Sequence, residues 1–453
     1  MSEETGWTQG EHVDEPGARD GGMARRAFLA RAAGTGLTLA SGGFLASSAT
    51  AVAKAGGGIG RTLKIGLVTP LTGEAAAFGE VNGYVLGLVT AAVKHGIKSG
   101  NGKIYDIQII SKDSQSSPSV AAQVANELIS SNQIDLMLTS STPEVVNPVS
   151  DACEAAHVPC ISTVVPWEAW YYGRGAKQTD KHAFKYTYHF SFGGKDFVVG
   201  YLGAWGQLKT NKVVGVLYPN DSDGNALRAG LPPAFKQAGY KVVDAGAYPD
   251  GLGDFSPQIA AFKSNNCQIF NTVPLPPDFV TFWRQAAQQG YKPIIPQIAK
   301  TGLFPSQVEA LGSLGVGLVD TAFWTPTFPY SSSLLGKTST QLAAGYEKTG
   351  KQWTQMVGST AALFDAGIAA LKAAPDPTNK GRLAHAISTL RVHTPLGLLD
   401  WNSGPVKNVT TTPLINCQWL KGKGKYPLDL VVVNNADDKH VPVAAKVRSY
   451  LTF

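Results

Sequence analysis

Leu63-Lys64-Ile65-Gly66-Leu67-Val68-Thr69 is a nearly unbroken apolar run that ends on a hydroxyl and passes straight into Pro70. A run of this length and composition reads as a strand buried on both faces, the kind that parallel sheets use. Outward from it the pattern recurs: Ile104 to Ile110, Ile134 to Thr139 and Val158 to Ser162 are apolar, with helix-like stretches between them. Parallel neighbours need a crossover, so this βα alternation implies a parallel sheet with helical connections. Val213 to Tyr218, Lys241 to Ala247, Ile269 to Val273 and Pro293 to Ile298 continue it as strands. Helices are expected through Leu227 to Ala238, Phe255 to Lys263 and Phe279 to Gln289, the last closed by Gly290. Leu342 to Ala374 reads as helices, and Leu398 to Trp401, Leu414 to Leu420 and Leu428 to Val433 as late strands. So many strands need two sheets, and the expected class is α/β with two doubly wound lobes.

Upstream, Arg25-Arg26 stand before Phe28-Leu29, followed by a weakly apolar run from Ala32 to Ala53 with a small-x-small end at Ala51-Val52-Ala53. Together they look like a twin-arginine export signal over residues 1–53, cleaved after Ala53 and read by the Tat machinery. Gly34, Gly36, Ser41, Gly42, Gly43 and Ser47 dilute the run below a membrane span. The segment also lacks a cysteine for lipid attachment, so a freely soluble extracytoplasmic chain is expected. Residues 54–60, with Gly56-Gly57-Gly58, read as a flexible lead-in. Without the signal's four Arg and six Asp or Glu, the net charge of +6 becomes +8, spread without a basic run. That balance tolerates anionic ligands and gives no sign of nucleic-acid binding. Export would place Cys153, Cys160, Cys267 and Cys417 in an oxidising compartment, which leaves one or two disulfides open, with Cys153 and Cys160 the first pair to consider. There is no CxxC and the His residues are scattered, so neither metal nor cofactor is expected.

The chain resembles the periplasmic type I solute-binding proteins of the branched-chain amino acid and amide class along nearly its whole mature length. The likeness is carried by Lys64 to Gly73, Phe78-Gly79, Asp113 and Val158-Pro159-Cys160-Ile161-Ser162. Val216 to Asp221 with Gly224, and Gly253-Asp254-Phe255-Ser256, complete it. The resemblance implies two α/β lobes joined by three crossovers, clamping a small molecule and presenting it to an ABC permease and its ATPase. The crossovers fall near Phe184 to Phe190, Val319 to Trp324 and Val392 to Pro395. Lobe 1 would then hold residues 61–184 and 323–393, and lobe 2 residues 185–322 and 394–453. A monomer is expected.

In that frame Ser141, with Ser140 and Thr142 beside it, would receive a ligand's acid group where a helix opens at Pro143. Ordinary N-capping is the competing reading of these hydroxyls. Phe78 matches the place of an aromatic ring over the ligand, or is a core residue. The loop from Thr163 and Val164 to Trp167, Trp170, Tyr171 and Tyr172 is dense in rings, which suits flat or bulky apolar ligands. Tyr188 and Trp324, at crossovers, are further candidates, and Lys300 and Asp278 lie on loops of the second lobe. The ammonium-binding glutamate of amino-acid-binding members corresponds to Leu252, their helping hydroxyl to Pro166, and an aromatic beside Gly224 to Asp223. A buried ammonium without a partner is costly, which argues against an ordinary α-amino acid unless Asp223 substitutes.

The leading expectation is a non-enzymatic receptor for a branched-chain amino acid-like solute, an amide, or an aromatic or branched carboxylic acid. An exported α/β hydrolase is disfavoured, since neither a G-x-S-x-G elbow, a phosphate loop nor an H-E-x-x-H occurs. A ligand-sensing module partnering a membrane sensor is the other alternative.

Overall fold

Leu63–Thr69 runs as a parallel strand between Ile107–Asp113 and Leu136–Ser140, with every side chain but that of Lys64 buried. The computed structural model to which it belongs describes residues 59–453 apart from 178, 181 and 182. The expected signal and residues 54–58 of the lead-in lie outside the described residues. Ile59 and Gly60 are not a loose lead-in: Ile59 bridges Ile104, and the Gly60 N–H donates to the Ile104 carbonyl at 2.9 Å.

From edge to edge the first sheet runs Ile107–Asp113, Leu63–Thr69, Leu136–Ser140, Cys160–Thr163, Thr187–Phe190 and Val409–Thr410, all parallel. The second runs Lys241–Asp244, Val213–Leu217, Ile269–Thr272, Ile295–Ile298 and Val319–Ala322 in parallel, then Ile415–Lys421 and Leu428–Asn434 antiparallel. In both sheets the second strand of the set lies outside the first and the third lies on the inner side. The order therefore reverses beside the first strand of each, and at such a switch point neighbouring loops diverge and leave a crevice at the strands' carboxyl ends.

The pattern in the sequence accounts for the packing. Gly66 sits where a Cβ would press on Ile134 and Leu128 at 2.9 and 3.1 Å, so the glycine lets the helix Pro118–Ser130 lie close on the sheet. Met356–Ala373 is apolar nearly all round and accordingly buried, lying on Leu136–Ser140 and Cys160–Thr163. The expected strand at Ile104 to Ile110 is divided at Asp106: Ile104–Tyr105 pairs back with Ile97–Lys98, and only Ile107–Asp113 enters the sheet. The four cysteines are free and buried, so neither of the disulfides left open by the sequence is formed. The Cys153 thiol instead packs against that of Cys160 in an apolar cluster, and burial with that neighbour raises its pKa.

Two lobe boundaries move. Thr187–Phe190, placed by the 184/185 division in lobe 2, is a strand of the first sheet because it pairs with Cys160–Thr163. Arg391–Asp400 forms a hairpin rather than a crossover, and the chain stays with the first sheet through Thr410 before entering the second at Ile415. The passages between sheets thus follow Phe190, Ala322 and Thr410.

Acids hold the passages that follow Phe190 and Thr410. Glu168, from the short helix Trp167–Tyr171, accepts the Gly194 N–H at 2.9 Å, Asp196 accepts that of Gly193 at 2.7 Å, and Asp437 accepts that of Leu414 at 2.7 Å. Burial, reinforced by Asp196, pushes the Glu168 carboxyl up to about 8 although the Gly194 N–H favours its ionised form. A carboxyl whose folded pKa exceeds its unfolded value adds stability that is whole below about pH 4.5 and is lost as pH rises through about 8. Glu168→Gln should therefore flatten the fall in melting temperature between about pH 5 and pH 9 in thermal denaturation. A slope equal to that of the unsubstituted protein would contradict it.

Candidate functional site

The switch-point loops of both sheets meet around one cavity of about 40 Å³. From the first lobe come Phe78, Ser141, Thr142 and Val164 to Pro166; from the second, Asp223, Val273, Ala299, Lys300 and Leu303. Phe192, Phe197, Thr321 and Phe323 complete the lining from segments beside the passages between sheets. A volume of 40 Å³ is far below the about 300 Å³ or more of ordinary solute pockets. The lobes are thus drawn together. Phe78 meets Phe304 edge to face with ring centres 5.0 Å apart, and Glu144 of the first lobe accepts the Ser222 N–H of the second at 3.1 Å.

Ser141 follows the strand Leu136–Ser140, and Thr142 is the N-cap of the helix Pro143–Ala155. Neither hydroxyl does the work of a cap: Thr142 makes no side-chain cap bond, and Ser141 Oγ, fully buried, has no hydrogen-bond partner among the described residues. A buried hydroxyl left unpaired is costly, and here it lies beside the positive dipole end of a helix that opens on Pro143, in the wall of a cavity. That combination suits an oxyanion.

Val164 has φ 82°, an outlier for a β-branched residue, and Lys300 has φ 62° and ψ −67°. Both line the cavity, and strained backbone of this kind gathers at ligand sites. The Val164 turn is anchored by His189, whose Nε2–H donates to the Val165 carbonyl at 2.8 Å while Nδ1 accepts from the Ser162 hydroxyl at 2.8 Å. Trp170 stacks on the imidazole, and burial drives the His189 pKa down to about 3, so the ring stays neutral and keeps that orientation.

On the other wall, Asp221 caps the helix Ser222–Gln237 through the Gly224 N–H at 2.6 Å. Its second oxygen stands 3.4 Å from Lys300 Nζ, and Asp223 Oδ2 stands 2.9 Å from the same atom. Burial alone would lower the Lys300 pKa, but Asp221, Asp223 and Glu144 hold the ammonium above its ordinary range. Burial pushes the Asp223 carboxyl up to about 7 against the pull of Lys300. Asp223 Oδ1 is buried without a partner among the described residues.

Of the candidates read from the sequence, Phe78, Ser141, Thr142, Val164 and Asp223 come together here, as does Lys300. Ser140, Thr163, Trp167, Tyr188 and Trp324 do not line the cavity. Ser140 and Thr163 lie within their strands, both buried. Tyr188 donates its hydroxyl to the Ala384 carbonyl at 2.7 Å and is a core ring. Trp324, fully buried, donates to Ser339 Oγ at 3.1 Å and covers Gly358. Trp167 closes on Gly193, where any Cβ would overlap the indole, and so packs on the interlobe passage. Asp278 accepts the Gly251 N–H at 3.0 Å, away from the cavity, and Leu252 does not line it either. Phe192, Phe197, Phe323 and Thr321 were missed; Phe192, Thr321 and Phe323 had only their nearness to strand ends as a signal, and Phe197, inside the helix Gly194–Trp205, had none.

Residues 62–423 match the family model described as "Periplasmic binding protein". Among solved structures, the leucine-binding protein LivK of Thermotoga maritima is 18% identical, with 83% of this chain and 99% of that one covered and a TM-score of 0.67. A solute-binding protein of an ABC transporter from Rhodopseudomonas palustris BisB5, in complex with 3,4-dihydroxybenzoic acid, is 19% identical over 83% and 99%, with a TM-score of 0.66. LivJ of Streptococcus pneumoniae, in complex with isoleucine, is 17% identical over 86% and 99%, with a TM-score of 0.63. No curated protein matches the chain in sequence. The chain belongs to the periplasmic binding protein family, built as the two-lobed type I fold, and is a binding protein rather than an enzyme.

Phe78 owes its place to the next residue: a Cβ on Gly79 would overlap the Pro70 carbonyl oxygen. Gly79→Ala should lower the unfolding free energy by about 1–3 kcal/mol through that clash. Urea titration would read it as a lower midpoint with unchanged slope.

Proposed function

We propose that the protein captures a small organic acid between its lobes outside the cytoplasm and hands it to the permease of an ABC uptake system. Ser141 Oγ carries this reading: a buried hydroxyl, unspent on capping, opens into an interlobe cavity at the start of a helix of thirteen residues. The acid group meets Ser141, Thr142 and the adjoining N–H groups; the body of the solute lies among Phe78, Phe192, Phe197 and Phe323. Neighbours of the same fold bound to an aromatic acid and to isoleucine support a carboxylate as the shared handle. The leader over residues 1–53 supports delivery by the twin-arginine route.

Entry requires the lobes to part, and closure follows because contacts from both walls exist together only when shut. Phe78, Ser141, Thr142, Val164 and Asp223 are the ligand-contacting residues of this reading. Thermal-shift screening of aromatic and branched acids, amides and amino acids should find its stabilising compounds among the acids, since a ligand at a hundred times its Kd adds about 2.7 kcal/mol. Ser141→Ala should fold normally and weaken the best hit about tenfold or more, because a hydrogen bond to a charged group is lost. Equal affinity in the two proteins, by calorimetric titration, would remove the acid from this position.

A further inference from the structure

Glu144 stands in the first turn of the helix Pro143–Ala155 and reaches across to the second lobe, where its carboxylate accepts the Ser222 N–H at 3.1 Å. Ser222 lies between Asp221 and Asp223, so shutting the lobes carries one acid up to two others. Both of those already face Lys300, with oxygens 3.4 and 2.9 Å from Nζ. Asp250 lies in the field of Asp221 and Asp278, and Asp278 in that of Glu74 from the first lobe. Tyr248, buried beside Lys300 and these acids, stays neutral because burial raises its pKa. Asp320, beneath Gly302, is likewise kept neutral by burial, with neither oxygen partnered among the described residues. The helices Trp167–Tyr171 and Gly194–Trp205, which also pack on Ser222–Gln237, do not offset the crowding. Their Glu168 and Asp196 are spent on the Gly194 and Gly193 amides, and Lys195 faces Asp196 and Asp437. Arg228, further along Ser222–Gln237, pairs with Asp244 at 2.6 Å. Closure therefore gathers Glu74, Glu144, Asp221, Asp223, Asp250 and Asp278 around Lys300, acids of both lobes that an open molecule holds apart.

We propose that closure of the lobes takes up a proton, held at Asp223, so that capture strengthens as the surroundings become more acidic. Like charges repel strongly where water is excluded, and a proton on one of the crowded carboxyls relieves the repulsion. Asp223 is the place for it: its Oδ1 is buried in the cavity wall and unpartnered among the described residues, and ionisation there is costly. In water an aspartate ionises near about pH 4. Parting the lobes returns Asp223 toward that state, because the cavity floods and Glu144 withdraws. In the shut form burial pushes the carboxyl up to about 7 against the pull of Lys300, with Asp221 and Glu144 adding to the rise. The shut pKa thus lies above the open one. Its contribution to closure is whole below about pH 4 and is lost as pH rises through about 7. The shut-to-open ratio should therefore be about tenfold higher at about pH 6 than at about pH 8.

The coupling bears on capture only if the cavity is the solute site, and its test is run without solute so that the two stand or fall separately. Small-angle X-ray scattering of the purified protein, at fixed ionic strength, should give a radius of gyration that shrinks between about pH 8 and about pH 6. Asp223→Asn, which carries the neutral form permanently, should stay at the smaller radius throughout. Glu144→Gln keeps an oxygen for the Ser222 N–H but removes a charge, so its transition should move to lower pH. A radius that does not change with pH in the unsubstituted protein would overturn the coupling and leave the acid site untouched. A transition unaltered in Glu144→Gln would place the proton elsewhere and overturn it too, and this half-buried position serves even where Asp223→Asn fails to fold. A solute screen without a stabilising acid would remove the capture reading and leave the scattering result in place.

Discussion

Parallel sheets covered on both faces keep few polar groups within their strands, as at His189 and Gln297, and gather the rest at the strand ends, and the molecule follows from that constraint. The central runs Leu63–Thr69, Leu136–Ser140 and Val213–Leu217 are mostly apolar, so helices must shield both sides. Chemistry is displaced to the carboxyl-end loops, and the reversal of strand order decides which loops diverge. The same reversal occurs in both sheets, so two crevices face each other and make one cavity.

The fold could be read from the sequence because burial leaves a periodic record. Leu63–Thr69, Val213–Leu217 and Ile269–Thr272 are short and apolar, with little alternation, and their type and order need no further information. The passages between lobes were harder to place. Thr187–Phe190 looks like a crossover because it lies between an irregular segment and a new helix, yet hydrogen bonding to Cys160–Thr163 makes it a sheet strand. Pairing between distant segments, such as Val409–Thr410 beside Thr187–Phe190, has no local signature.

The site was only half visible for a related reason. Ser141, immediately after a strand, and Asp223, in the first turn of the helix that follows one, sit where the strand-to-helix alternation puts them and could be anticipated. Large rings could not, since an aromatic side chain serves the core as well as a ligand. Trp324, Tyr188 and Trp167 found partners in the protein, whereas Phe192 and Phe323 reached the cavity with no distinguishing pattern. Lys300 could be named from its place on a loop after a strand, but the backbone turn that sets its position is not revealed by composition.

The bond from Glu144 to the Ser222 amide and the meeting of Phe78 with Phe304 tie the lobes to each other through groups belonging only to the protein. Such contacts lower the free energy of the shut form independently of any solute. The solute then needs to supply only the remainder of the closing free energy, and its measured affinity reports that remainder. Loosening these ties would thus leave every solute contact in place and still weaken capture, so residues that never touch the cargo help set the concentration at which it is taken up.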